Sequence, residues 1–516
     1  MVYGNGTRGG VVNIITRSNP KDSAHITLKG NTYEFKNTLS GNLSLSLGKK
    51  ITEKFFLKAN AGFSDGGGYG KFSKQRNATQ GLQAIYQFTP NQTLDLNASY
   101  ARTNVLVPDQ LSLAELQTDR RGASSLRRFT DTFQAYWADY RAKAGVWDFD
   151  MLGFFESSDQ TDEYLSLAGT KTYGGEFVSL QSGLSFKSKR QTQNNTLMLG
   201  YDLSYSNSAL GEDKAARLAN SIYFLERYAF VHWFDLSAGA RYENSYYELK
   251  KSASKFKGDK DFHSYAIEVT PNFKYSPTGN VYAKYERGFV APLPEHLVAT
   301  NADKQTIVGP IHPQTYDTYE LGWKDEFAWS YLSATLFYTQ AVGEFNFNYV
   351  YSSNHMVGAE YYNVGDTRRI GVEINGMQDF FDRLHIGESI SYVDATIIKD
   401  KDPSEKNKKV PYTNLYKITL NIGYDTIKSQ KNLLNVFFNT SFFGQREDNQ
   451  HNKMDAYILS DLGMTYTAKR SGASLSAGVR NVFNALYIDY AYGTKRGTTY
   501  LPAPERSYYA EISFRF

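Results

Sequence analysis

Apolar and polar residues alternate along most of the chain in runs of about ten, the period of a strand whose two faces meet different surroundings. At the C-terminus Tyr508, Ala510, Ile512, Phe514 and Phe516 fall on one face, and Ser507, Tyr509, Glu511, Ser513 and Arg515 fall on the other. Leu39, Gly41, Leu43, Leu45 and Leu47 alternate with Ser40, Asn42, Ser44 and Ser46, and Leu94, Leu96, Ala98 and Tyr100 alternate with Thr93, Asp95, Asn97 and Ser99. About twenty-two such segments recur from residue 24 to the C-terminus, an even number as in single-chain bacterial barrels. Helical periodicity is sparse, and only Ser112 to Leu126 suggests a short helix in a loop.

The connections alternate in length. Tight ones are expected at Pro90-Asn91, Lys143-Ala144, Pro277-Thr278, around Asp235, at Ala328-Trp329 and at Phe381-Asp382. Long ones are expected near 64–78, 104–129, 158–176, 289–315, 341–369 and 482–505. Short turns at one end and long polar loops at the other are the form of an outer-membrane barrel. Closure removes the sheet edges that an open sheet of this size would leave unpaired. The fold class expected is therefore all-β, a transmembrane antiparallel β-barrel with long extracellular loops and short periplasmic turns.

Composition narrows the function. The 516 residues include 40 Tyr, 33 Phe and 41 Gly but no Cys, which excludes disulfide scaffolds, Cys-zinc sites and thiol catalysis. A net charge of +4 gives no nucleic-acid footprint. No run reaches the ~20 apolar residues of a membrane helix. The high aromatic content argues against disorder and suits the girdles at the two membrane interfaces. No paired carboxylates, nucleophile elbow or phosphate loop stands out, so no enzyme is expected.

Several motifs together resemble the TonB-dependent outer-membrane receptors. The opening Tyr3-Gly4-Asn5-Gly6-Thr7-Arg8-Gly9-Gly10-Val11-Val12-Asn13-Ile14-Ile15 resembles the end of their plug domain. Arg287-Gly288-Phe289-Val290-Ala291-Pro292 and Pro313-Gln314-Thr315-Tyr316-Asp317-Thr318-Tyr319-Glu320-Leu321-Gly322 are similar to elements of their barrels. Asn363-Val364-Gly365 with Gly371-Val372-Glu373, Arg480-Asn481-Val482-Phe483-Asn484-Ala485-Leu486-Tyr487, and the strand ending in Phe516 follow in the family's order. The resemblance implies residues 1–20 as the residual end of a plug and 21–516 as the barrel, with the TonB box and most of the plug outside this chain. It also implies a receptor in the bacterial outer membrane, lying among lipid and lipopolysaccharide. Such a receptor binds an iron chelate and imports it with energy delivered by TonB–ExbB–ExbD, and its terminal strand is read by the barrel-assembly machinery. A ferric siderophore is the expected cargo. Haem or cobalamin, a passive porin-like channel, a phage or colicin receptor, and a soluble all-β enzyme are the alternatives. Porins have roughly 16–18 strands, fewer than this chain supplies.

Candidate ligand contacts follow from loop position. Gly4-Asn5-Gly6-Thr7-Arg8-Gly9 matches GxGxxG, but the β-branched run after it is strand-like, so no dinucleotide is expected. None of the eight histidines forms a short-spaced ligand pair, so no metal site is expected. His296 and His312 fall in a long loop, and His296 follows Phe289-Val290-Ala291-Pro292 as a histidine follows the similar element of haem receptors in this family. Phe347 and Tyr349 offer aromatic stacking to a chelate. Arg287 and Arg446 offer charge to an anionic one from strand tops or loops. No cofactor is expected beyond the transported ligand. The blander roles are polar loop residues for the histidines, loop packing for the aromatics and carboxylate partners for the arginines.

Overall fold

The computed structural model describes residues 21–210, 213–301, 303–352, 355–363, 365–494 and 497–516; the side chains of 347–360 and the expected plug remnant, 1–20, lie outside the described residues. Twenty-two antiparallel strands form one sheet that closes on itself, because Ser23–Tyr33 pairs with Ser40–Lys50 on one side and with the last strand, Ser507–Arg515, on the other. Each remaining strand pairs with its neighbours in chain order on both sides, so the sheet closes without an edge strand. At the seam, Ala24 N donates to Phe516 O at 3.1 Å and Phe516 N donates to Ala24 O at 2.8 Å.

The register turns the sequence alternation into two surfaces. Leu475, Ile512, Leu28, Leu43 and Phe63 stand opposite one another across four consecutive ladders, forming an apolar belt that crosses the seam. Leu28 is 54% exposed and Phe63 47% exposed on this outward face. The opposite face is polar, and Lys29 and Glu511 pair across the same seam at 3.8 Å. On Asp213–Val231, exposed Leu218, Ile222, Phe224 and Tyr228 alternate with buried Ala215, Ala219, Ser221 and Tyr223. The inner wall carries ion pairs such as Arg241 with Asp202 at 2.8 Å, while Glu243 accepts from Arg217 and, at 3.1 Å, from Ser221. No helix among the described residues is long and apolar enough to cross a membrane. The membrane surface is the barrel's own outward face.

The turns at the periplasmic end are tight. Phe381 and Asp382 have φ of 53° and 56°, and Arg383 N donates to Phe380 O at 3.0 Å, so both central residues take the left-handed conformation that matches strand twist. Two tight turns fall slightly away from their expected places. The turn expected at Lys143-Ala144 is made by Gly145 and Val146, because Gly145 takes φ 60°. Asp235 belongs to strand Phe234–Lys251, where Arg227 donates to its two carboxylate oxygens at 3.0 and 2.9 Å and Lys274 sits 2.8 Å away.

The extracellular end departs further. The loop expected at 158–176 is mostly strand: Trp147–Leu165 and Lys171–Gln191 run on past the apolar belt and leave five residues between them. Likewise Phe55–Gly67 and Lys74–Thr89 shorten the loop expected at 64–78, and Gln92–Pro108 and Leu126–Ala144 trim the one expected at 104–129. Polar side chains on both faces hid these extensions, since a ladder needs no apolar face once both sides are wet. The helix expected over 112–126 spans only Leu113–Thr118, capped by Ser112 and Glu115 in a reciprocal capping box.

Candidate functional site

The extracellular mouth is where chemistry-bearing loops converge, and it holds two clusters on different arcs of the rim. In the first, loop 291–313 folds against the inner wall. Leu297 and Ile311 are fully buried with Ala215, Tyr247 and Leu249 from strands Asp213–Val231 and Phe234–Lys251. Tyr247 Oη anchors the loop start by donating to Pro292 O at 2.8 Å. A second hairpin, Phe345–Ser352 with His355–Asn363, packs on the same cluster through Phe345 and Tyr361.

His296 sits in a 3-10 turn, Pro294–Leu297. Its ring stacks on Tyr361 with centroids 3.9 Å apart and meets the edge of Phe345 at 6.0 Å. Its Nδ1 is buried without a hydrogen-bond partner among the described residues. Burial lowers the imidazole pKa, only partly offset by Glu295, so the ring is held neutral. His312 instead braces the loop, its backbone N donating to Asn363 Oδ1 at 3.0 Å while Asn363 Nδ2 donates to His312 O at 3.0 Å.

The second cluster joins loops 68–73, 109–125, 401–415, 444–456 and 481–506. A hairpin of loop 481–506, Ile488–Thr494 with Gly497–Pro502, adds Leu111–Ser112 as a third strand. Tyr69 Oη donates to Glu505 at 2.7 Å, Arg121 Nε donates to Tyr69 O at 2.7 Å, and the Arg121 guanidinium lies 3.9 Å over the Phe35 ring. Burial first, and then the Glu505 carboxylate, push the Tyr69 phenol pKa upward, keeping its proton in place as donor. Tyr412 Oη donates to Ala491 O at 2.8 Å and stacks on Tyr490 at 4.9 Å. His451 lies between Glu447 at 3.0 Å and Glu405 at 2.6 Å. Between loops 68–73, 109–125 and 481–506 and the barrel wall lies a cavity of about 360 Å³, lined mostly by apolar surface, with Arg120 and Arg121 among its polar groups.

The sequence from 15 to 482 matches the family model described as TonB dependent receptor-like, beta-barrel. The chain belongs to the TonB-dependent receptor family. Among solved structures, this receptor barrel is similar to the ferric citrate transporter FecA in its unliganded form, at 17% identity and TM-score 0.83 over 100% of this chain and 82% of that one. It is also similar to the ferric yersiniabactin uptake receptor FyuA from Yersinia pestis, at 14% identity and TM-score 0.80 over 98% and 82%. A third is the siderophore receptor PirA from Acinetobacter baumannii, at 14% identity and TM-score 0.77 over 100% and 83%. At these identities the likeness is one of fold. Family and closed barrel together make the chain an outer-membrane protein of a receptor and transporter family.

The receptor barrel distributes the candidate residues unequally. His296 and His312 lie in one loop, both against the hairpin that carries Phe347 and Tyr349, whose side chains lie outside the described residues. Arg446 belongs to the other cluster, where its Nη2 donates to Ile488 O at 3.1 Å and Asp489 O at 2.5 Å. Arg287 joins neither. Register puts it on the outward face with exposed Tyr265 and Tyr319, where it pairs with Asp317 at 2.9 Å and lies 5.2 Å from the Tyr265 ring. Tyr508, Ala510 and Ile512 share the exposed outward face of the last strand, Phe514 lies opposite Ile26 on that face, and Phe516 follows at 72% exposure. Sequence reasoning missed Tyr69, Arg120 and Arg121. The one available signal was the run Gly66-Gly67-Gly68-Tyr69-Gly70, where glycines allow close approach: a Cβ on Gly70 would stand 2.6 Å from Pro108 Cγ.

Proposed function

We propose that this chain is the membrane barrel of a receptor that binds a ferric siderophore at its extracellular mouth and imports it with energy delivered through TonB. The observation that carries the reading is the family match over nearly the whole of a closed barrel whose outer loops are folded and mutually braced. The solved relatives named above are receptors or transporters of ferric citrate, ferric yersiniabactin and siderophores. The barrel binds and passes its cargo without chemistry on it, and coupling to TonB, ExbB and ExbD runs through a plug. Assembly into the membrane uses the terminal strand, and the outward belt meets lipid and lipopolysaccharide.

One observation favours haem as a second cargo. His296 is a neutral, ring-stacked histidine at the mouth whose Nδ1 has no hydrogen-bond partner among the described residues. The discriminating experiment expresses the full-length gene in an iron-starved host lacking its own receptors. Uptake of radiolabelled iron as ferric citrate, a ferric catecholate, a ferric phenolate or haem is then compared. Uptake of a siderophore form that vanishes in a tonB deletion supports the first reading. TonB-independent entry scaling only with solute size would instead identify a passive channel.

A further inference from the structure

The cavity in the braced cluster has the size and lining of a small-molecule site. Its volume of about 360 Å³ lies at the lower end of the range for such sites, roughly 300–1,000 Å³. Tyr33 and Val105 line it from the barrel wall, Tyr69 from loop 68–73, and Leu501 from loop 481–506. These walls are fixed to one another before any ligand arrives. Leu111 and Tyr500 pair through the backbone, Lys71 N donates to Arg121 O at 2.8 Å, and Arg120 donates to Tyr487 O. Walls already fixed in place lower the ordering cost of binding.

The polar groups set the ligand class. Arg120 commits one terminal nitrogen to Tyr487 O, while its Nε is buried without a partner among the described residues. A buried guanidinium N–H left open is costly, and a carboxylate oxygen is the acceptor that satisfies it best. Lys74 and Arg121 add positive charge against Asp109 and Asp489, and the Asp109 carboxylate is already committed to Gln110 N and Ser125 Oγ. Aromatic and aliphatic side chains make up most of the remaining lining, which suits a flat apolar body. We infer that this cavity binds a compact planar aromatic carboxylate, with the carboxylate toward Arg120 and the ring between Tyr33, Val105 and Leu501. The inference goes beyond the import reading and does not depend on the cargo.

The test is calorimetric titration of the detergent-purified full-length receptor with 2-naphthoate, alongside 2-naphthylmethanol and acetate. Saturable 1:1 binding of naphthoate is expected, with naphthylmethanol roughly tenfold weaker for want of the charged hydrogen bond and acetate giving no heat. Val105→Trp from the barrel strand and Leu501→Trp from the loop hairpin each fill the cavity and should each abolish binding. Arg120→Gln should weaken it roughly tenfold and Arg120→Lys less, while a change at exposed Lys257 on the other arc, Lys257→Ala, leaves it unchanged. Heat-modifiable gel mobility reports whether each variant retains its barrel. No saturable binding to the wild type, or equal binding by both tryptophan variants with barrels intact, overturns the site.

Discussion

The two loop clusters at the mouth solve the same problem by opposite means. Over strands Asp213–Val231 and Phe234–Lys251, loop 291–313 is held by burial: Leu297 and Ile311 press on Ala215, Tyr247 and Leu249. Beside the seam, loops 68–73, 109–125 and 481–506 are held by directed contacts such as Tyr69 with Glu505, Arg121 with Phe35 and Lys71 with Asp119. Apolar packing is non-directional and fills the space it closes. Hydrogen bonds and ion pairs act at fixed points and leave room between them. The cavity accordingly lies in the braced arc.

This contrast can be broken most forcefully at Leu297. Leu297→Ala should cost about 2–5 kcal/mol of loop docking, read as faster amide exchange across 291–313 with the braced arc unchanged. Equal loosening of both arcs would show that they form one cooperative unit. Next, Tyr69→Phe removes the donor to Glu505 and should loosen loops 68–73 and 481–506 by about 1–2 kcal/mol, leaving loop 291–313 protected.

A smaller effect should follow pH. Burial depresses the His296 pKa below its ordinary 6.5, so the docked loop binds fewer protons than the undocked one. Docking of the packed arc is then fully present above pH 6.5 and weakens as pH falls below it. Limited proteolysis between pH 7.5 and 5 reads this directly, and His296→Gln should flatten the response. Smallest is the effect of salt. The half-exposed Lys71–Asp119 pair should contribute under about 1 kcal/mol, so high ionic strength should raise exchange in loop 68–73 slightly and loop 291–313 not at all.

The legibility of this fold in its sequence stops where the surroundings become alike on both sides of the sheet. Within the belt, Leu43, Leu45 and Leu47 face outward against Ser44 and Ser46, and strand count and facing could be read directly. Above it, Asp159, Gln160, Thr161, Asp162 and Glu163 are polar on both faces, and their strand read as loop. Arg287 shows the same limit. Its place near a strand top was visible, but its outward facing and its partner Asp317 depended on register with a neighbouring strand. The candidate site was legible only in part. The loop carrying His296 and His312 could be located, whereas the seam cavity draws on segments as distant as Tyr69 and Glu505.

Alternation by itself determined a closed, lipid-facing barrel, because each strand's two faces carry their own solvent preference locally. Every other strand pair followed from its tight turn, which leaves the two strands no other partner, and closure of the sheet pairs the rest. Only the tertiary structure decided which loops fold into the mouth, which leave a cavity, and which arginine faces outward. Those outcomes depend on contacts between residues far apart in the chain, where no local periodicity records the partner.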